Sequence, residues 1–145
     1  MPRNVYHEIN LHIVWRTKDD APVLRDQIEN QCWRYIVHRA VETPGVRVHE
    51  IGGMPDHIHF AASVPPTLLI SEWIGRLKGA SSHYINHEVL NRKTLDWQTG
   101  YGVVSFGTKD APWVISYIRN QKEHHGRCDV YDRLERIDQP DSPIA

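Results

Sequence analysis

From Val5 to Trp15 the chain alternates. Val5, Ile9, Leu11, Ile13 and Trp15 fall on one side of an extended backbone and Tyr6, Glu8, Asn10 and His12 on the other, which predicts a strand with one face on a core. Lys18-Asp19-Asp20-Ala21-Pro22 places acidic residues and a proline as at a helix start. Leu24, Ile28, Cys32, Tyr35, Ile36 and Ala40 then recur at helical spacing and predict a helix from about Pro22 to Val41. Thr43-Pro44-Gly45 ends it. Val46 to Ile51 reads as a second strand, Gly52 to Asp56 as a tight connection, and His57 to Val64 as a third strand closing a hairpin. Beyond Pro65-Pro66-Thr67, the stripe Leu69, Trp73, Ile74, Leu77, Tyr84 and Ile85 predicts a second long helix from Leu68 to Leu90. Tyr101 to Phe106 reads as a fourth strand, and Pro112 sits at the opening of a third helix, Ala111 to His125.

The order β-α-β-β-α-β with an added carboxy-terminal helix predicts an α+β fold, a ferredoxin-like split βαβ antiparallel sheet with two helices on one face. The other face is then available for a site or for the last helix. A length of 145 residues fits one domain, expected over residues 1–128. The remainder, 129–145, carries five acids against Arg133 and Arg136, with Pro140 and Pro143, and reads as a loose acidic tail. A hydrophobic content of 40% with 24% charged residues excludes a disordered or collagen-like chain. Cys32 and Cys128 have no spacing that suggests a zinc pair or a redox motif. No apolar run approaches a membrane span, and Met1-Pro2-Arg3-Asn4 lacks the apolar stretch of a secretory signal, so a cytoplasmic location without membrane contact is expected. The net charge of −1 does not by itself point to nucleic acid, and the body before Asp129 is only mildly basic, with 15 bases and 13 acids.

Ten histidines invite a search for metal or phosphate chemistry. In His57-Ile58-His59 the two imidazoles stand on one face of a strand, about 7 Å apart along it, close enough to bind one cation, while Ile58, Phe60, Ala62 and Val64 face a core. Taken alone, the triplet fits two solvent-facing histidines equally well. Tyr117 and Gln121 lie four apart on the last helix, where the amide oxygen could reach the same cation and the phenol a phosphorus atom. The spacing by itself favours an ordinary amphipathic stripe of Val114, Tyr117, Ile118 and Gln121. His83 and His87 are also four apart but have no carboxylate motif beside them, and surface histidines are the better account. His124 and His125 close the third helix, where a cation suits the carboxyl-end dipole and a phosphate contact is the functional alternative.

Four blocks change the balance: Met54-Pro55-Asp56-His57-Ile58-His59-Phe60, Trp73 to Ser82 (WIGRLKGASS), Gly100-Tyr101 before a strand, and Tyr117-Ile118-Arg119-Asn120-Gln121. In order and spacing, over about Tyr6 to His125, they resemble the small single-tyrosine HUH transposases of bacterial insertion sequences, whose relatives include the transposases associated with repetitive extragenic palindromes. The resemblance implies His57, His59 and Gln121 as metal ligands and Tyr117, on the added helix, as the nucleophile. It further implies cleavage and rejoining of single-stranded DNA at hairpin-bearing element ends, and a homodimer in which the tyrosine helix serves the histidine pair either of its own subunit or of its partner. Gly102 departs from the pattern, standing where such transposases usually carry a bulky residue.

The implied chemistry is coherent. Mg²⁺ or Mn²⁺ held by two neutral imidazoles and an amide keeps its charge and acts as a Lewis acid on the scissile phosphate. Attack by the phenol gives a 5′-phosphotyrosine and a free 3′ hydroxyl, and the conserved bond energy removes any need for a nucleotide cofactor. Arg16, Lys18, Arg76, Lys78, Arg119 and Lys122, with Arg92 and Lys93, are candidate DNA contacts, Arg76 and Lys78 the better ones; each alone also fits a solvated surface. Trp97 and Trp113 are candidates for base stacking, whereas Trp73 sits on the apolar stripe and fits the core. Asp56 either orients a histidine or completes the turn before the third strand. The competing functions are a noncatalytic hairpin-binding module and a metal-dependent phosphoesterase. The two-histidine phosphoesterases would need a second His-x-Ser/Thr motif, which His12-Ile13-Val14 does not supply.

Overall fold

In the computed structural model, which describes residues 4–138, the first strand, β1, spans Asn10–Arg16. It starts later than the alternation from Val5 predicts because both of its neighbours end opposite Asn10, at Ser63 and Phe106. Without partners the preceding residues form no ladder, and Val5 and Tyr6 are exposed. The other strands are β2 (Arg47–Met54), β3 (His57–Ser63) and β4 (Gly102–Phe106). All pairings are antiparallel, in the order β2-β3-β1-β4, which is the ferredoxin-like arrangement.

Helix α1 (Asp26–Val41) begins four residues after Pro22, because residues up to Arg25 stay extended while Leu24 is buried and its N–H donates to the Pro55 carbonyl. Helix α2 (Ile70–His83) continues into a wider π-helical turn, Tyr84–Val89, so one irregular rod fills the predicted span. Both helices cover the sheet face that carries Leu11, Ile13, Trp15, Ile58, Phe60 and Ala62, and with Trp73, Ile74 and Leu77 they form the main core. Cys32 is sealed within it, and burial pushes its thiol up.

The opposite face is covered by three short helices, α3 (Ala111–Arg119), α4 (Gln121–Gly126) and α5 (Asp132–Glu135). The single predicted helix from Ala111 to His125 is broken at Asn120, whose backbone leaves the helical region at φ −103° and ψ 29°. Val114 and Ile118 of α3 pack on Ala61 and Phe106 in a small second core. At about 1.5–3 kcal/mol for each fully buried aliphatic or aromatic side chain, this patch is enough to anchor a nine-residue helix that would not persist alone.

Two glycines permit this second layer. Gly52 was expected in the connection between strands, but it pairs with His59 inside β2, and a Cβ there would stand 2.5 Å from the Ile118 carbonyl oxygen of α3. The turn therefore shrinks to Pro55-Asp56. At Gly102 a Cβ would stand 1.9 Å from the Arg136 carbonyl oxygen, so the departure noted in the sequence makes room for the segment after Tyr131 to cross β4. That segment, expected to be loose, forms α5 with Leu134 buried and Arg133 donating to the Ser105 carbonyl at 2.6 Å. Pro140, Pro143 and the rest of the tail from residue 139, like Met1 to Arg3, lie outside the described residues. Among the described residues no helix is long and apolar enough to cross a membrane.

Candidate active site

The strand alternation sends His57 and His59 of β3 to the face under α3 and α4, where both are buried. The rings stand edge to face with centroids 5.0 Å apart. Asp56 does both things foreseen for it. Its carbonyl accepts from the Thr17 N–H in the turn, and its Oδ1 accepts from His57 Nδ1 at 2.7 Å. That bond leaves Nε2 as the nitrogen turned into the site, an atom that is buried and has no hydrogen-bond partner. An orphaned imidazole nitrogen beside a second imidazole is the donor set a divalent cation fits.

Behind His59 lies His12, on the polar side of β1, with Nε2 2.9 Å from His59 Nδ1. Burial, with the neighbouring His59, holds His12 at about 3. Burial likewise lowers His59 to about 4. Both rings are therefore neutral at neutral pH, the state in which His59 presents a lone pair.

Tyr117 projects from α3 over the same face, its ring 5.9 Å from that of its own chain's His59 and stacked against Trp113. Its hydroxyl donates to Glu135 Oε2 and accepts from the Tyr131 N–H at 3.1 Å. Burial and the Glu135 carboxylate push the phenol above its usual value. Gln121 opens α4 on the far side of the break, buried, with its amide donating to the Tyr117 carbonyl at 3.1 Å and its Oε1 accepting from His125 Nε2 at 3.0 Å. Glu135 Oε1 reaches His59 Nε2 at 3.1 Å and His57 Nε2 at 3.4 Å, and its Oε2 lies 3.6 Å from His125 Nε2. Burial alone would raise Glu135, but its contacts with His57, His59 and Tyr117 outweigh that and hold it far below the usual carboxylate range.

The structure thus brings together His57, His59, Tyr117, Gln121 and Asp56, and adds His12, His125 and Glu135. His12 was on the correct strand face in the alternation, and His125 continues the four-residue stripe from Tyr117 through Gln121. Glu135 carried no sequence signal, because an acid in an acidic tail looks like solvation.

The basic candidates are engaged with the protein itself. Arg16 pairs with Asp20 at 2.7 Å and Asp56 at 3.1 Å, Lys18 lies 3.9 Å from Asp96, and Arg76 pairs with Glu72 along α2. Lys78 donates to the carbonyls of Gln98 at 2.7 Å and Gly100 at 2.8 Å and so ties down the loop before β4. Arg119 pairs with Glu50 at 2.7 Å and Lys122 with Glu29 at 2.9 Å, beside the histidine face. Trp73 is core, Trp97 packs on Trp15 and donates to Ser81, and Trp113 is 45% exposed next to the tyrosine. The His83 and His87 rings are neighbours, but among the described residues no third ligand joins them.

The sequence model of the family described as "Transposase IS200 like" matches residues 5–121. The transposase for insertion sequence element IS200 of Salmonella typhimurium is 31% identical over 115 residues, covering 76% of this chain and 72% of that protein. The ISDra2 transposase TnpA of Deinococcus radiodurans is 23% identical over 126 residues, covering 83% of this chain and 89% of that protein. In fold, the chain matches a Deinococcus radiodurans crystal structure with a TM-score of 0.68 at 22% identity, over 83% of this chain and 96% of that one. It also matches a REP-associated tyrosine transposase bound to a REP hairpin, with a TM-score of 0.61 at 16% identity, over 90% of this chain and 75% of that one.

Proposed function

The chain belongs to the IS200-like transposase family, and from that premise we propose that it cleaves and rejoins single-stranded DNA at hairpin-bearing ends through a 5′-phosphotyrosine on Tyr117. The observation that carries this reading is the meeting of Tyr117 with the histidine pair inside one chain: its hydroxyl bonds the same carboxylate that His59 Nε2 touches at 3.1 Å.

His57 and His59 would hold a divalent ion, Mg²⁺ or Mn²⁺, with Gln121 Oε1 as the third ligand. When bound, the ion supplies Lewis-acid stabilisation of charge on the scissile phosphate. Asp56 fixes the His57 tautomer, and His12 braces His59 from behind. The Tyr131 N–H and Glu135 hold the phenol oxygen at one place, which confines the nucleophile and removes orientational cost. In the reaction a bond forms between the Tyr117 oxygen and phosphorus, the bond from phosphorus to the 3′ oxygen breaks, and the phenol proton ends on the departing 3′ hydroxyl. The reverse exchange with another 3′ hydroxyl rejoins the strand.

A groove lined by Glu29, Glu50, Gly52, Arg119 and Lys122 runs past Gln121. Arg119 and Lys122 are our choice for backbone phosphates there, exchanging their carboxylate partners for DNA. Trp113 would stack a base next to the cleaved bond. Arg16, Lys18, Arg76 and Lys78 serve flanking DNA in this reading, Lys78 by holding its loop. The homodimer implied by the resemblance would join two self-contained sites.

The test is a hairpin-bearing oligonucleotide incubated with Mn²⁺ and resolved on a denaturing gel. The wild type forms a covalent protein–DNA adduct, and Tyr117→Phe forms none; an adduct that persists in the variant removes Tyr117 as nucleophile.

A further inference from the structure

Resting on the metal-dependent reading above, we propose that Glu135, delivered by the strap after Tyr131, is a fourth protein ligand of the active-site ion alongside His57, His59 and Gln121. Three observations carry this, and Glu135 itself belongs to none of the motif blocks of the sequence.

The first is distance. Glu135 Oε1 lies 3.1 Å from His59 Nε2 and 3.4 Å from His57 Nε2, and the candidate ligand atoms of His57, His59, His125 and Glu135 all fall within 4.8 Å of one another. Ligand atoms held at about 2.1 Å from one ion are separated by roughly 3.0–3.4 Å at neighbouring positions.

The second is chemistry. His57 Nδ1 bonds Asp56 Oδ1 at 2.7 Å, so Nε2 is the nitrogen aimed into the site, buried, without a hydrogen-bond partner and 3.4 Å from a carboxylate oxygen of Glu135. An imidazole nitrogen with no partner beside a carboxylate oxygen is a pair of ligand atoms that one divalent cation fits. His125 does not compete for this role, since its Nε2 donates to Gln121 Oε1 and so orients the amide.

The third is construction. Glu135 reaches the site because Leu134 is buried, Arg133 is bonded to the Ser105 carbonyl, and the Arg136 carbonyl rests on Gly102, where a side chain would block it. A six-coordinate ion with two imidazoles, an amide and a carboxylate keeps two positions for phosphate oxygens. The carboxylate adds the one anionic ligand of the set, and its second oxygen accepts from Tyr117, so a single side chain joins ion site and nucleophile.

The experiment measures Mn²⁺ binding to the full chain without DNA, from the electron paramagnetic resonance of free Mn²⁺, for the wild type, Glu135→Gln, Gly102→Val and His57→Ala, each checked for folding by circular dichroism. Glu135→Gln keeps the shape and removes the charge, and is expected to weaken binding by roughly tenfold or more. Gly102→Val displaces the strap without touching a ligand and should weaken binding comparably. An affinity of Glu135→Gln within about twofold of the wild type, while His57→Ala loses binding, overturns the Glu135 assignment and leaves the histidine site standing. A wild type that binds no Mn²⁺, or binding indifferent to His57→Ala, overturns both.

Discussion

A neutral histidine held in the dark of a protein is an acid-sensitive part, and His12 and His59 are two such parts in contact. Their native values, about 3 and about 4, lie below the roughly 6.5 of an unfolded chain. Between these limits the unfolded state binds protons that the folded state refuses, so stability rises with pH. It is complete above about pH 6.5 and is lost as the pH falls toward 4, by on the order of 3 kcal/mol for a group shifted like His59. Urea denaturation of metal-free protein from pH 7.5 to 4.5 should show this loss, and His12→Asn should make the dependence shallower. An unchanged slope in the variant would remove His12 from the account. Residue by residue, a two-residue or four-residue spacing shows only that His57 with His59, and Tyr117 with Gln121, share a face; it was the resemblance of their blocks that singled them out, and Asp56 was noted for standing next to His57. Glu135 was not legible, because a four-residue helix has too few positions to show a period, and Leu134 alone gives no stripe.

At the scale of elements, the sheet and its two long helices were legible because alternation and helical spacing are strong over such lengths. What the pattern could not show is where two backbones come closest. Gly52 looked like turn material, yet it sits in β2 beneath the Ile118 carbonyl of α3. Gly52→Val should push α3 outward, lower stability by about 1–3 kcal/mol, and reduce adduct formation more than Mn²⁺ binding, since the histidines stay on the strand while Tyr117 moves. Equal loss of both would show that the substitution disturbs the sheet rather than the helix. The break at Asn120 was hidden for a related reason: Tyr117 and Gln121 keep their four-residue spacing, and only the backbone angles reveal two helices.

For the whole molecule, the near-neutral charge has a local counterpart: five of the six leading bases face carboxylates of the same chain and the sixth, Lys78, holds backbone carbonyls, so the proposed DNA contacts require these partners to be exchanged. A divalent ion held as proposed should couple to global stability, because its ligands would come from β3, α4 and α5, which meet only in the folded chain. Mn²⁺ at about a hundred times its dissociation constant should stabilise the protein by about 2.7 kcal/mol, and a chelator should reverse the gain. A melting temperature indifferent to Mn²⁺ would contradict a site spread over these elements. The placement of α3 above its own sheet has one more consequence. If a copy lacking the phenol is mixed with a copy lacking His57, neither can repair the other, and the mixture should stay as inert as its parts however concentrated it becomes.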